Sequence, residues 1–206
     1  MQLELEGIAE AAYRDAGLDP EKPHVMRLAR ALLGQEAILR GPRPVHGPAA
    51  LARVGDSWRI VVARNLDPLY ALFAVGHELG HWLIARHRLG LEDEESAADY
   101  LAGALLAPRP AFVGARRRLG EDLRALAQAF GTTETGAALR VGEVFRTPLA
   151  VVAPSRVRVR GPEDWSWPSE PTLRTWARRA RPGVRRTRLG DDPRRVVLEA
   201  GDEDAA

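Results

Sequence analysis

Apolar residues recur at helical spacing from Leu3 to Ala16, where Gly17 and Pro20 end the run, and again from His24 to Leu33, closed by Gly34. The texture then changes. Gly41-Pro42-Arg43-Pro44 and Gly47-Pro48 mark a loop, and the runs Ala50–Val54 and Trp58–Ala63 flank Gly55-Asp56, which reads as a β-hairpin. Asn65 and Asp67-Pro68 supply a cap and a first-turn proline for a long helix. That helix carries Phe73, His77 and His81 to about His87, and Gly90 closes it. Asp93-Glu94-Glu95 opens the next helix with carboxylates at the positive end of its dipole, and Pro108 stops it. Helices over Glu121–Phe130 and Thr133–Phe145, separated by Gly131, are followed by strand-like runs Leu149–Ala153 and Ser155–Arg160. From Gly161 onward the chain differs in kind: Trp165-Ser166-Trp167-Pro168, a basic segment from Arg174 to Arg195, and an acidic tail.

This pattern predicts an α+β fold, mostly helical, with a small β-hairpin or sheet ahead of the long helix. Three segments are expected: 1–120 as the main domain, 121–154 as a helix-turn-helix-like pair, and 155–206 as a basic appendage with an acidic tail, the last boundary falling near Pro154.

Composition changes this picture at three points. With 206 residues and 45% hydrophobic content, the chain can build a core without a metal or a disulfide, which frees any metal site for catalysis. The absence of cysteine excludes every thiolate zinc site, so a zinc ion here has to be held by histidine and carboxylate. It also fits a reducing compartment. The N-terminal Met1-Gln2-Leu3-Glu4-Leu5-Glu6 has neither a basic nor an apolar signal region, and the most apolar runs are too short to span a bilayer. A cytoplasmic protein with no membrane partner is expected. The net charge of +2 is too small to argue by itself for nucleic acid.

The chemistry concentrates in His77-Glu78-Leu79-Gly80-His81. Residues four apart on a helix share a face, so His77 and His81 can turn their imidazoles to one ion. Glu78 lies beside that ion without being aimed at it, where it can take a proton from an attacking water. A third protein ligand is needed. His87 has the spacing of the extended three-histidine motif, but Ile84 fills the position where that motif needs glycine, and both methionines, Met1 and Met26, lie upstream of where a methionine turn belongs. Glu95 is the better ligand. Asp99, four residues on, shares its helix face and can accept the second N–H of a histidine ligand. Ala98 and Ala102 beside them are small enough to let the two helices approach closely.

The blocks Phe73-Ala74-Val75-Gly76-His77-Glu78-Leu79-Gly80-His81 and Glu95-Ser96-Ala97-Ala98-Asp99-Tyr100-Leu101-Ala102-Gly103-Ala104-Leu105-Leu106-Ala107-Pro108 together resemble the ImmA/IrrE-type metallopeptidases, a gluzincin-like group, over about residues 5 to 150. Gly76 stands where that family usually has alanine, Tyr100-Leu101 where it has phenylalanine, and the gap from His81 to Glu95 is short. The resemblance implies a zincin-like domain with zinc held by His77, His81 and Glu95, Glu78 as general base, and a transcriptional repressor as substrate in a stress response or mobile element. No oxyanion-stabilising group is evident; Tyr70 and Tyr100 are the hydroxyls weighed for it.

Two regions remain. A DNA-reading second helix should expose Arg, Asn or Gln near its start, whereas Thr133–Phe145 begins with threonines and a glutamate and carries Arg140 late, so a structural or docking pair is the stronger reading. The arginines of 174–195 serve either phosphate contact or a small solvated appendage, paired with Glu163, Asp164, Glu170, Asp191 and Asp192. The expected function is zinc-dependent peptide hydrolysis on a regulatory protein. The competing reading is a DNA- or protein-binding regulator with a vestigial metal site. Substrate identity and oligomeric state are left open by the sequence.

Overall fold

The computed structural model describes residues 2–162, 165–179, 181, 183–190 and 194–200. Glu163, Asp164, Asp191 and Asp192, expected as arginine partners, and the acidic tail lie outside the described residues. Contacts divide the chain into two compact units, Met1–Arg118 with Ala129–Thr132, and Leu119–Gln128 with Thr133–Ala206. The fold class is α+β, as the hydrophobic pattern predicts.

The first unit opens with α1 (Gln2–Asp15) and α2 (Val25–Leu33), followed by β1 (Ile38–Gly41), β2 (Ala49–Val54) and β3 (Ser57–Ala63). The expected hairpin is β2–β3, turning at Gly55-Asp56 with Gly55 at φ 60°. Strand β1 was not anticipated. It pairs parallel to β3 from Ile38↔Ile60 to Gly41↔Ala63, giving the order β1-β3-β2 and leaving β2 at the edge. Four residues running into a proline-rich loop offer too few positions for an alternating pattern to register.

The long helix α3 (Pro68–His87) and α4 (Glu94–Leu106) follow, then α5 (Arg109–Leu119). The helix ends at His87, as expected, but its left-handed cap is Arg88 at φ 54° and not Gly90. Pro108 ends α4, as expected, but a new helix starts directly after it, because Pro110 is tolerated in a first turn that needs no N–H partner. The core is built from Leu5, Ile8 and Tyr13 of α1, Leu28 of α2, Ile60 and Val62 of β3, Val75, Leu79 and Leu83 of α3, and Leu101 and Leu105 of α4. Tyr13 is fully buried, and its hydroxyl donates to the Leu105 carbonyl at 2.7 Å, tying α1 to α4. Burial pushes this phenol well above its usual range, so it stays a donor throughout the working pH range.

Helices α3 and α4 meet through small residues on both sides. A Cβ added to Gly76 would lie 3.2 Å from Ala102 Cα, and one added to Gly80 would lie 3.1 Å from the Ala98 carbonyl oxygen and 3.2 Å from its Cα. The atoms in the way are backbone, which cannot swing aside.

The second unit holds the start of α6 (Leu123–Phe130), α7 (Glu134–Phe145), β4 (Leu149–Val152), β5 (Val157–Arg160), α8 (Glu170–Arg178), β6 (Val184–Arg188) and β7 (Val196–Ala200). The strands form an antiparallel sheet in the order β5-β4-β7-β6. Strands β4 and β5 flank Pro154 and pair with each other, so the boundary expected there falls inside a hairpin. Leu173 of α8 packs on Ala150, Val152, Val196 and Leu198. Residues 137–144 of α7 are all buried. Arg140, 2% exposed, pairs with Glu143, which also accepts from Arg160 Nε at 2.8 Å. DNA contact by Arg140, part of the competing reading, is excluded by this burial.

Replacing Gly80 with alanine tests the helix contact. Overpacking costs about 1–3 kcal/mol, while removing a mid-helix glycine returns about 1 kcal/mol. The thermal midpoint is expected to fall by several degrees. An unchanged or higher midpoint would mean that α4 retreats freely.

Candidate metal centre

Each helix of the pair is started by its own aspartate. The Asp67 carboxylate accepts from the Leu69 and Tyr70 amides at 2.9 and 3.4 Å, with Pro68 in the first turn of α3. The Asp93 carboxylate accepts from the Ser96 amide at 3.0 Å, and hydrogen bonds from Ser96 hold it below the usual carboxylate range. With Ala71, Val75, Leu79 and Leu83 turned into the core, His77 and His81 fall together on one flank of α3. Glu94 and Glu95 fall in the first turn of α4.

The structure brings three of the expected residues to one point. His77 Nε2 and His81 Nε2 are 3.1 Å apart, and the Glu95 carboxylate approaches both, at 3.4 Å through Oε2 and 3.4 Å through Oε1. His77, His81 and Glu95 thus form a group that can hold a metal ion. The Glu95 side chain is 79% exposed, so the group opens to solvent on its side.

Behind the histidines stand two more carboxylates. Asp99 accepts from His77 Nδ1 at 3.0 Å, the contact expected of it, and Glu94 accepts from His81 Nδ1 at 2.8 Å. These acceptors assign the proton to Nδ1 in each neutral ring and leave the Nε2 lone pairs facing inward. Three electron-pair donors then converge with no hydrogen between them, which is the chemistry of a cation site. The imidazole nitrogens lie 3.1 Å apart and each has one Glu95 oxygen 3.4 Å away, Oε2 for His77 and Oε1 for His81, so the carboxylate straddles the pair. Two imidazole nitrogens and a carboxylate oxygen are a donor set that can hold a metal ion. The hydrogen bond to Asp99 raises the His77 pKa against the opposing effect of burial, helped by the charges of Asp99, Glu78 and Glu95.

Glu78 does not join the group. Its Oε2 accepts the Leu51 amide of edge strand β2 at 2.8 Å. Leu51 lies opposite Ile60, whose own N–H is turned the other way, to the Ala37 carbonyl, so the Leu51 N–H points off the sheet edge. His87 sits in the last turn of α3, outside the group. Tyr100 is buried, and its hydroxyl donates to Glu6 at 2.8 Å, which removes it from consideration as an oxyanion donor. Tyr70 is exposed on α3, about 10 Å along the axis from His77. Sequence reasoning missed Glu94 and the Leu51 amide. Glu94 was detectable as a neighbour of Glu95 in the acidic run; the amide carried no signal, since a backbone N–H belongs to every residue but proline.

The family model of Peptidase_M78, described as IrrE N-terminal-like domain, matches residues 35–141. Among solved structures, a Mycobacterium tuberculosis transcriptional regulator superposes with a TM-score of 0.63 at 17% identity, over 98% of this chain and 89% of that one. At that identity the likeness is one of fold. No match was found among curated proteins.

Replacing Asp99 with alanine should weaken zinc affinity by about 10- to 100-fold, measured by competition with a chromophoric chelator, while asparagine, which keeps an acceptor, should lose less. Equal affinity in all three proteins would remove Asp99 from the centre.

Proposed function

The chain belongs to the Peptidase_M78 family of IrrE N-terminal-like domains, and on that premise we propose that it is a zinc-dependent endopeptidase acting on a regulatory protein. In this reading His77, His81 and Glu95 are the ligands, Asp99 and Glu94 orient the two imidazoles, and Glu78 is the general base. The observation that carries it is the convergence of the three donors with a carboxylate behind each histidine.

Three protein donors, two nitrogen and one oxygen, are the complement of a catalytic zinc, which keeps a further position for water or substrate. A zinc ion bound there supplies Lewis acidity, polarising a carbonyl and bringing the pKa of water towards neutrality. Glu78 follows His77 on the same helix and is held by the Leu51 amide at the margin of the sheet. From there it takes the proton of the attacking water and returns it to the leaving amine. Because β2 is an edge strand, an extended substrate can lie along it and bring its scissile bond beside Glu78.

The resemblance to repressor-cleaving peptidases supports a regulatory protein, a repressor, as substrate. Among the described residues no helix is long and apolar enough to cross a membrane. The cysteine-free composition supports action in the cytoplasm. The neighbour's description also favours a regulator with a vestigial site, but such a protein has no need of three converging donors with a carboxylate behind each histidine.

Elemental analysis is expected to find about one zinc per chain, and none in the His77→Ala/His81→Ala double variant. The Glu78→Gln variant should keep its zinc and lose cleavage of a proteome-derived peptide library by about 10²–10⁴-fold, read by mass spectrometry of new termini. A zinc-free, folded wild type, or cleavage undiminished in Glu78→Gln, would overturn the reading.

A further inference from the structure

The second unit distributes its arginines unequally between the two faces of its sheet. On β6, Val184 packs into the core beside Trp176 and Ala177 of α8. Side chains alternate along a strand, so Arg186 and Arg188 share the Val184 face, while Arg185 and Thr187 take the other. On that other face charge is compensated: Arg185 pairs with Glu199 of β7 and with Glu121. On the α8 face it is not. Arg186 donates from one guanidinium nitrogen to the Ala177 carbonyl at 3.2 Å, which places it at the C-terminal end of α8, where Arg178 and Arg179 follow. Arg178 gives one N–H to the Arg174 carbonyl. None of Arg178, Arg179, Arg186 and Arg188 has a carboxylate partner among the described residues, and all four are exposed.

Four exposed guanidinium groups at the junction of one helix end and one strand are costly for a protein to hold together unless they meet an anion. Arg186 and Arg188, two positions apart on one strand, lie about 7 Å from each other, so the anion has to be extended and repeatedly charged. Base stacking by the nearby tryptophans would favour a single strand, but each of the three is half-buried and already meets a partner. Arg181 lies over the Trp176 ring at 4.0 Å, and Trp165 meets Trp167 edge to face at 5.9 Å. With these indoles engaged, single-strand recognition loses part of the stacking that usually drives it. The buried α7 cannot supply a base-reading helix either. We propose that Arg178, Arg179, Arg186 and Arg188 form a binding surface for the phosphate backbone of duplex DNA, sequence-blind and independent of the metal centre.

Fluorescence anisotropy of the full-length protein with a labelled 20-base-pair duplex tests this. Four phosphate contacts predict a log–log salt slope of about −3 to −4, hence roughly a 100-fold loss of affinity from 50 to 200 mM salt. The Arg179→Ala/Arg188→Ala variant removes two side chains that hold nothing else in place. It should bind at least tenfold more weakly at 50 mM salt, with the slope reduced in magnitude by about two. Arg27→Ala/Arg30→Ala, at α2 in the first unit, should bind as the wild type does. Any one of four results would overturn the proposal: no binding by the wild type at 50 mM salt, an Arg179/Arg188 variant indistinguishable from it, an equal loss in the α2 variant, or tighter binding of the matching single strand than of the duplex.

Discussion

Gly76 and Gly80 on α3 face Ala102 and Ala98 on α4 across a gap that leaves no comfortable room for a Cβ on the first helix. Everything at the metal centre depends on that separation. The histidines project from α3 and the glutamates from α4, so the distance between Nε2 atoms and the Glu95 carboxylate is set by how closely the two backbones pack. The glycines are costly to the helix that carries them, by about 1 kcal/mol each relative to alanine. That loss is tolerated because α3 is otherwise strongly apolar and anchored in the core by Ala71, Ala74, Val75, Leu79, Leu83 and Ile84.

The two carboxylates behind the histidines orient the rings, and they also raise the basicity of the inward nitrogens. For His77 the same contact raises the ring's affinity for a proton, so proton and metal compete for it. Glu78 stands apart from this arrangement, since its hydrogen bond runs to the sheet and not to the helix pair. Glu78 shares α3 with the histidines, but its carboxylate is held by the sheet edge while the imidazoles are held by carboxylates of α4.

Much of this was legible in the sequence because its causes are local. The four-residue spacing of His77 and His81, the caps at Asp67 and Asp93, and the Glu95–Asp99 pair all follow from helical periodicity. The alanines of α4 were recognisable as a contact surface, whereas Gly76, noted only as a departure from the family pattern, acquires its meaning from the backbone opposite it. What escaped depends on non-local pairing. Strand β1 exists because β3 offers it an edge, and β6 and β7 complete a sheet whose other strands lie more than twenty residues earlier. Arg140 read as an ordinary surface arginine of an amphipathic helix, and only the three-way contact with Glu143 and Arg160 shows why it is inside.

The metal donors and both carboxylates behind them fall between His77 and Asp99, within a single helical hairpin. Contacts separated by so few residues close small loops, at a small cost in chain entropy. The donors all lie on the α3–α4 hairpin, and an ion bound there would cross-link its two helices and add its binding free energy to the stability of the folded chain.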